Sequence, residues 1–181
     1  MKRYLQRMKA TGACPPRKAA SRIFWSSIGA FLGICLIDLL GKYTARLGIT
    51  DILLIGSFGA TAILVYGAPE VEFSQPRNLV GGHVVSAIIG VAVFMLVKEP
   101  SIASASAVSL AVIAMHFTRT LHPPGGATAL IAIIGGDKVH ALGFSYVLCP
   151  VLAGALIMLL VALLVNNLSA NPNRHYPVYW L

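Results

Sequence analysis

The residues best suited to chemistry are Arg119 and His122, within Thr118-Arg-Thr-Leu-His-Pro-Pro-Gly-Gly-Ala-Thr-Ala-Leu130. One apolar run ends just before this stretch and another opens inside it, so a cation and a titratable ring stand at a break between hydrophobic segments. Pro123 and Pro124 have no amide donor and interrupt any helix arriving from Phe117. A residue before proline is pushed out of the α region, which makes Leu121 and His122 extended or turning. The proline pair also suits the first turn of a new helix. The amides of Gly125, Gly126 and Ala127 would then point back toward His122 and Arg119, and a helix N-terminus beside a cation is a site for an anion. There Arg119 supplies charge, His122 a hydrogen bond or a proton, and Thr128 a hydroxyl. The plainer readings are an interfacial arginine, a histidine capping a turn, and threonines bonded to their own helix.

Arg77 and His83, with Asn78 beside the arginine, form a similar pair earlier in the chain; an ion pair of Arg77 with Glu70 or Glu72 is its plain alternative. His116, on an apolar segment, reads as a packing histidine. The chain shows no paired carboxylates in register, no His-x3-His or Cys-x2-Cys spacing and no phosphate-loop pattern. No enzymatic activity, metal or cofactor is therefore expected. Cys14, Cys35 and Cys149 are scattered and read as small hydrophobes.

The elements that must position these residues belong to a membrane protein. Hydrophobic residues make up 57% of the chain and charged residues 11%, less than half the roughly 25% charged of soluble domains. Half of the 14 Lys and Arg precede the first apolar segment. The positive-inside rule then places the N-terminus in the cytoplasm, and the expected location is a bacterial inner membrane. Such a patch is also attractive to anionic lipid; it lacks the aromatic or folded context of a nucleic-acid site. Residues 22–41 read as a retained helix rather than a cleaved signal, since no small-x-small site follows.

Six apolar segments are expected, at about 23–40, 52–68, 79–97, 101–117, 125–134 and 141–165. They divide the chain into a basic segment (1–22), a transmembrane domain (23–166) and a tail (167–181). Gly29 and Gly33 give the first segment a face for close packing. The second is interrupted by Gly56 and Gly59, and the fifth covers roughly half a bilayer. Each is a half-helix, a tilted short helix or a re-entrant piece. Residues 135–138 read as a turn, Pro150 as a kink, and Tyr176-Pro-Val-Tyr-Trp180 as an interfacial aromatic anchor.

Gly59-Ala-Thr-Ala-Ile-Leu64 matches Gly126-Ala-Thr-Ala-Leu-Ile131, 67 positions later. As a duplication this makes 23–97 and 102–166 two three-segment copies, inverted because three crossings reverse the chain. That is a transporter plan, with the site between repeats where helices are interrupted. It makes Gly59 and Thr61 structural counterparts of the motif around Pro123 and Pro124.

At these residues the chain resembles the HPP family of integral membrane proteins, whose naming motif stands here as His122-Pro123-Pro124. Ser57-Phe-Gly-Ala-Thr61, Gly67-Ala-Pro-Glu70, Gln75-Pro-Arg-Asn78 with Gly81-Gly-His83, Asn166-Asn167 and the closing Tyr-Pro-Val-Tyr-Trp agree with the family pattern. The resemblance covers about residue 23 to the C-terminus. It implies four spans and a small-anion permease, plant and cyanobacterial-type members being linked to nitrite transport. Four full spans plus two re-entrant pieces reconcile that number with six segments.

The resulting expectation is an all-α, polytopic helical bundle in the lipid bilayer that moves a small monovalent anion such as nitrite. The substrate-binding candidates are Arg119, His122, Gly125, Gly126, Thr128, Arg77 and His83. A chain this short is expected to work as a homodimer or homotrimer. The competing function is a non-transporting scaffold or sensor subunit; a membrane enzyme is disfavoured by the missing acid–base pair.

Overall fold

The computed structural model describes residues 2–48, 52–169, 171 and 174–181, and every regular element among them is helical. A short basic helix α1 (Lys2–Arg7) precedes α2 (Ala20–Arg46), α3 (Ser57–Gly67), α4 (Pro76–Leu96), α5 (Pro100–Phe117), α6 (Pro123–Ile134), α7 (Gly136–Leu142) and α8 (Ala153–Leu168). Prolines open α4, α5 and α6, where a missing amide costs nothing. The Glu99 carboxylate completes the start of α5 by accepting from the Ile102 amide at 2.6 Å. Before α8, Val147–Leu152 forms a wide turn around Pro150 in which Cys149 leaves helical geometry, the kink expected there.

Four stretches are long and apolar enough to cross a membrane unaided: α2, α4, α5 and Val147–Leu168. The chain is a multi-pass helical membrane protein. The two short helices complete further passages with non-helical backbone. Leu53 and Ile55 are buried while Leu54 between them is exposed, the alternation of an extended strand-like stretch leading into α3. This stretch and α3 run back along α2: a Cβ at Gly41 would lie 3.2 Å from Leu53, and one at Gly29 2.8 Å from the Tyr66 ring. Four extended residues at about 3.3 Å and twelve in helical geometry at about 1.5 Å reach roughly 31 Å, enough for a bilayer core.

On the other side α6 runs parallel to α4. Gly82 of α4 faces His122, Ser86 faces Gly125, and Gly90 faces Ala129 and Ala132. A Cβ at Gly90 would sit 2.7 Å from the Ala129 carbonyl, so glycine there allows the helix backbones to touch. The four long stretches are thus joined in the bundle by two shorter apolar helices, α3 beside α2 and α6 beside α4. Thr61 meets His122 while Ser57 meets Thr128, so α3 and α6 run antiparallel. Shifted by the 67 positions of the sequence match, α3 falls on residues 124–134, almost the whole of α6.

Several local expectations change. Residues 135–138 are not a bare turn: Gly136, with φ +76°, starts α7, and Asp137 sits in its first turn, where a carboxylate complements the helix dipole. His116 is exposed on the outer side of α5 rather than packed. Arg77 pairs with neither glutamate but donates to the Thr118 carbonyl at 3.0 Å, while Glu70 pairs with Arg22. Tyr176 is buried, donating to the Ser74 carbonyl at 2.8 Å, so the tail is docked onto the bundle at this residue, while Val178 to Leu181 are exposed. Asp51, expected in the first connection, lies outside the described residues.

Candidate functional site

His83 lies two turns into α4, roughly 10 Å along it. His122 is the residue before the prolines of α6. The close approach at Gly82 brings the two rings together, centroids 4.9 Å apart and both 0% exposed. Thr61 of α3 stands between them, its Oγ1 2.7 Å from His83 Nε2 and 3.2 Å from His122 Nε2. Thr128 of α6 takes the other side of His83, Oγ1 to Nδ1 at 2.7 Å, and also bonds the Ser57 hydroxyl at 2.9 Å. The two threonines matched by the sequence repeat therefore clamp the two nitrogens of one imidazole. The scaffold is pseudo-symmetric but the chemistry is not, because the same shift carries His83 onto Pro150 and His122 onto Ile55.

Proton positions follow from the acceptors. His122 Nδ1 is 2.7 Å from the Phe73 carbonyl, which only accepts, so Nδ1 carries hydrogen and, with the ring neutral, Nε2 accepts from Thr61. With the Thr61 proton so used, His83 must donate through Nε2. Its Nδ1 then accepts from Thr128 when the ring is neutral, or donates to Thr128 when it is protonated, with Thr128 donating onward to Ser57. Reversing two hydroxyls interconverts these arrangements with every heavy atom in place. Ser86, one turn further along α4, has a buried hydroxyl with no partner.

The arginines are elsewhere. Arg77, Arg119, Glu72, Tyr179 and Leu181 line an exposed cleft of about 250 Å³ at the end of the bundle where α4 begins. Arg119 holds a left-handed backbone, φ +58°, which is strained for a residue with a side chain. Hydrogen bonds lead from cleft to interior. The Tyr179 hydroxyl is 3.4 Å from Asn78 Oδ1, and Asn78 Nδ2 donates to the carbonyl of Leu121, next to His122, at 2.9 Å.

Sequence reasoning placed Arg119 with His122 and Arg77 with His83. The structure instead gathers the two arginines at the surface and the two histidines inside. The helix N-terminus also differs from expectation. Pro123 and Pro124 bring no amides, and the Gly125 amide donates to the His122 carbonyl at 2.8 Å, so these three positions offer no free donor to an anion. Gly125 has a packing role, since a Cβ there would meet Ser86 and the Gly82 carbonyl, whereas one at Gly126 would make only an ordinary contact with Val108 at 3.9 Å and one at Gly59 would face open space. The Phe73 carbonyl and Ser86 were not singled out in the sequence. His83, His122 and Thr128 were, and the repeat, by pairing Thr61 with Thr128, added the remaining threonine.

Beside this region Arg174, 1% exposed, donates to the Arg22 and Tyr66 carbonyls, Ser26 and Asn166, tying the tail to α2, α3 and α8. Burial pushes the Glu70 carboxyl up, but the hydrogen bond from Arg22, a backbone hydrogen bond and the nearby charges of Arg22 and Lys18 together outweigh this and hold it below the ordinary glutamate range.

A family model described as HPP, transmembrane region, matches residues 15–177. Two proteins of Dictyostelium discoideum, named as transmembrane proteins, are similar to the chain. One is 44% identical, covering 98% of this chain and 57% of its own length; the other is 42% identical, covering 98% and 63%. The chain thus spans about three fifths of the relatives it matches. No solved structure matches it.

Proposed function

The chain belongs to the HPP transmembrane family, and from that premise we propose that it is a permease for a small monovalent anion, with nitrite the first substrate to test. The observation that carries this reading is the shared cleft of Arg77 and Arg119, connected through Asn78 to the Leu121 carbonyl next to the buried His83–His122 pair. Ionisable groups at membrane depth are expensive and mark substrate or proton routes. Two half-helices lying antiparallel, side by side, at that pair follow the inverted-repeat transporter plan. Of the Lys and Arg, only Lys42, Arg46, Lys98 and Lys138 belong to the opposite end; the others lie before α2 or at the cleft end. By the positive-inside rule the cleft faces the cytoplasm, with both termini. The membrane we propose is a bacterial cell membrane; the two Dictyostelium relatives are eukaryotic, so fractionation of the native host decides that point. We propose a homodimer or homotrimer, to be read from native mass in detergent.

The second reading is a non-transporting scaffold or sensor subunit, favoured by the closure of the site: both imidazoles are 0% exposed. Saturable nitrite uptake into proteoliposomes separates the two. Arg119→Gly is the informative variant, because glycine relieves the left-handed backbone while removing the charge. The permease reading expects a folded variant with uptake reduced at least several-fold. Wild-type protein that is folded yet takes up none of nitrite, nitrate, formate or chloride makes the scaffold reading the better one.

A further inference from the structure

Resting on the permease reading, we infer that the anion crosses together with one proton, carried at His83, so that the transported species is an uncharged pair and the substrates are conjugate bases of weak acids.

Two features of the interior carry this. The first is the absence of a resident counter-charge. The groups facing the histidines are Ser57, Phe58 and Thr61 from α3, the Phe73 carbonyl from the loop before α4, Ser86 from α4, and Pro124 and Thr128 from α6. The Tyr146 hydroxyl bonds the Thr128 carbonyl behind them. None is a carboxylate, a lysine or an arginine. Among the described residues no Asp or Glu is buried, and the one buried arginine, Arg174, is engaged by Arg22, Tyr66, Ser26 and Asn166. A bare anion brought beside the histidines would therefore be an unpaired charge out of water, and so would a protonated His83 by itself. Each is costly alone, and together they offset one another.

The second feature is that the hydrogen-bond chain already accommodates protonated His83. Both its nitrogens face threonine oxygens, and each threonine has an onward acceptor, His122 Nε2 for Thr61 and the Ser57 hydroxyl for Thr128. Taking up a proton reverses hydroxyls and moves no backbone. The unpartnered Ser86 hydroxyl, fully buried one turn away, is a donor left over for the anion. Balance is simple. A proton and an anion enter from one side, the proton resides on His83 while the anion is beside it, and both leave on the other side with His83 neutral. No oxidant or co-reactant is needed. On leaving, the proton passes from His83 to the anion, which nitrite and formate accept as conjugate bases of weak acids, whereas chloride and nitrate, bases of strong acids, do not.

The experiment uses purified wild-type protein in proteoliposomes with an internal pH dye near pH 7, against protein-free vesicles, with membrane voltage clamped by potassium and valinomycin. The expected result is nitrite- or formate-driven internal acidification that saturates, is absent with nitrate and chloride, and proceeds at a rate indifferent to voltage. A bare anion would instead shift its equilibrium accumulation roughly fiftyfold per 100 mV. Thr61→Ser should keep acidification, and His83→Asn should lose it. Saturable uptake that follows voltage without acidification overturns the proton-coupled inference and leaves the permease intact. No saturable uptake of any of the four anions overturns both.

Discussion

Replacing Thr61 with valine tests the imidazole network without changing shape. Valine keeps the volume of threonine and removes only the hydroxyl, and position 61 is fully buried, so no water fills in. Two hydrogen bonds between side chains disappear, to His83 Nε2 at 2.7 Å and His122 Nε2 at 3.2 Å; the third contact, to the Ser57 carbonyl, is a helix back-bond. In a soluble core two stranded groups would cost about 1–3 kcal/mol each. Inside a membrane the unfolded reference also finds partners, and measured bonds there average ~0.6 with a maximum near ~1.7 kcal/mol. The membrane figure governs, giving a loss of roughly 1–3 kcal/mol in all, or several degrees of unfolding midpoint for a chain of this size. The assay is thermal unfolding in detergent of Thr61→Val, Thr61→Ser and Ser86→Ala side by side. Thr61→Ser should fall within about 1 kcal/mol of wild type, and Ser86→Ala should be neutral or slightly stabilising, because its buried hydroxyl has no partner to lose. If Thr61→Val is as stable as Ser86→Ala, the threonine does not hold the two imidazoles and the proton assignments fall with it.

Glycines predict opposite outcomes by position. A Cβ at Gly154 would run into the Phe58 ring, which itself packs edge-on against His83, so Gly154→Ala should destabilise by about 1–3 kcal/mol. Gly59 has nothing within 4 Å, and Gly59→Ala should be neutral or stabilise by about 0.5–1 kcal/mol; equal unfolding midpoints for the two would contradict the packing described. For Glu70, the folded carboxyl sits below its ordinary value, so its contribution is fully present above the unfolded pKa of about 4.3 and disappears as pH falls through the lower folded one. The small difference in midpoint between wild type and Glu70→Gln should therefore persist at neutral and mildly acidic pH and close only below that range. A difference that closes near pH 6 would show that Arg22 does not hold this carboxylate.

The sequence by itself determined the class and the segmentation. With 11% charged residues and long apolar runs, the chain has no soluble solution, and the prolines at 76, 100 and 123 mark where helices begin because they need no amide there. It also carried the repeat, since the nearly identical strings at 59–64 and 126–131 both lie in short helices, and in Thr61 and Thr128 it held two members of the site. What it could not reveal was which polar groups meet. Arg119 and His122 are near neighbours in sequence, yet a left-handed residue and an extended one turn the chain between them, sending one side chain to the cleft and the other inward. His83 and His122 meet because Gly82 lets α6 approach α4 closely, a contact between residues far apart in the chain that leaves no local periodicity. Local rules fixed the helices, and packing over small residues decided the chemistry between them.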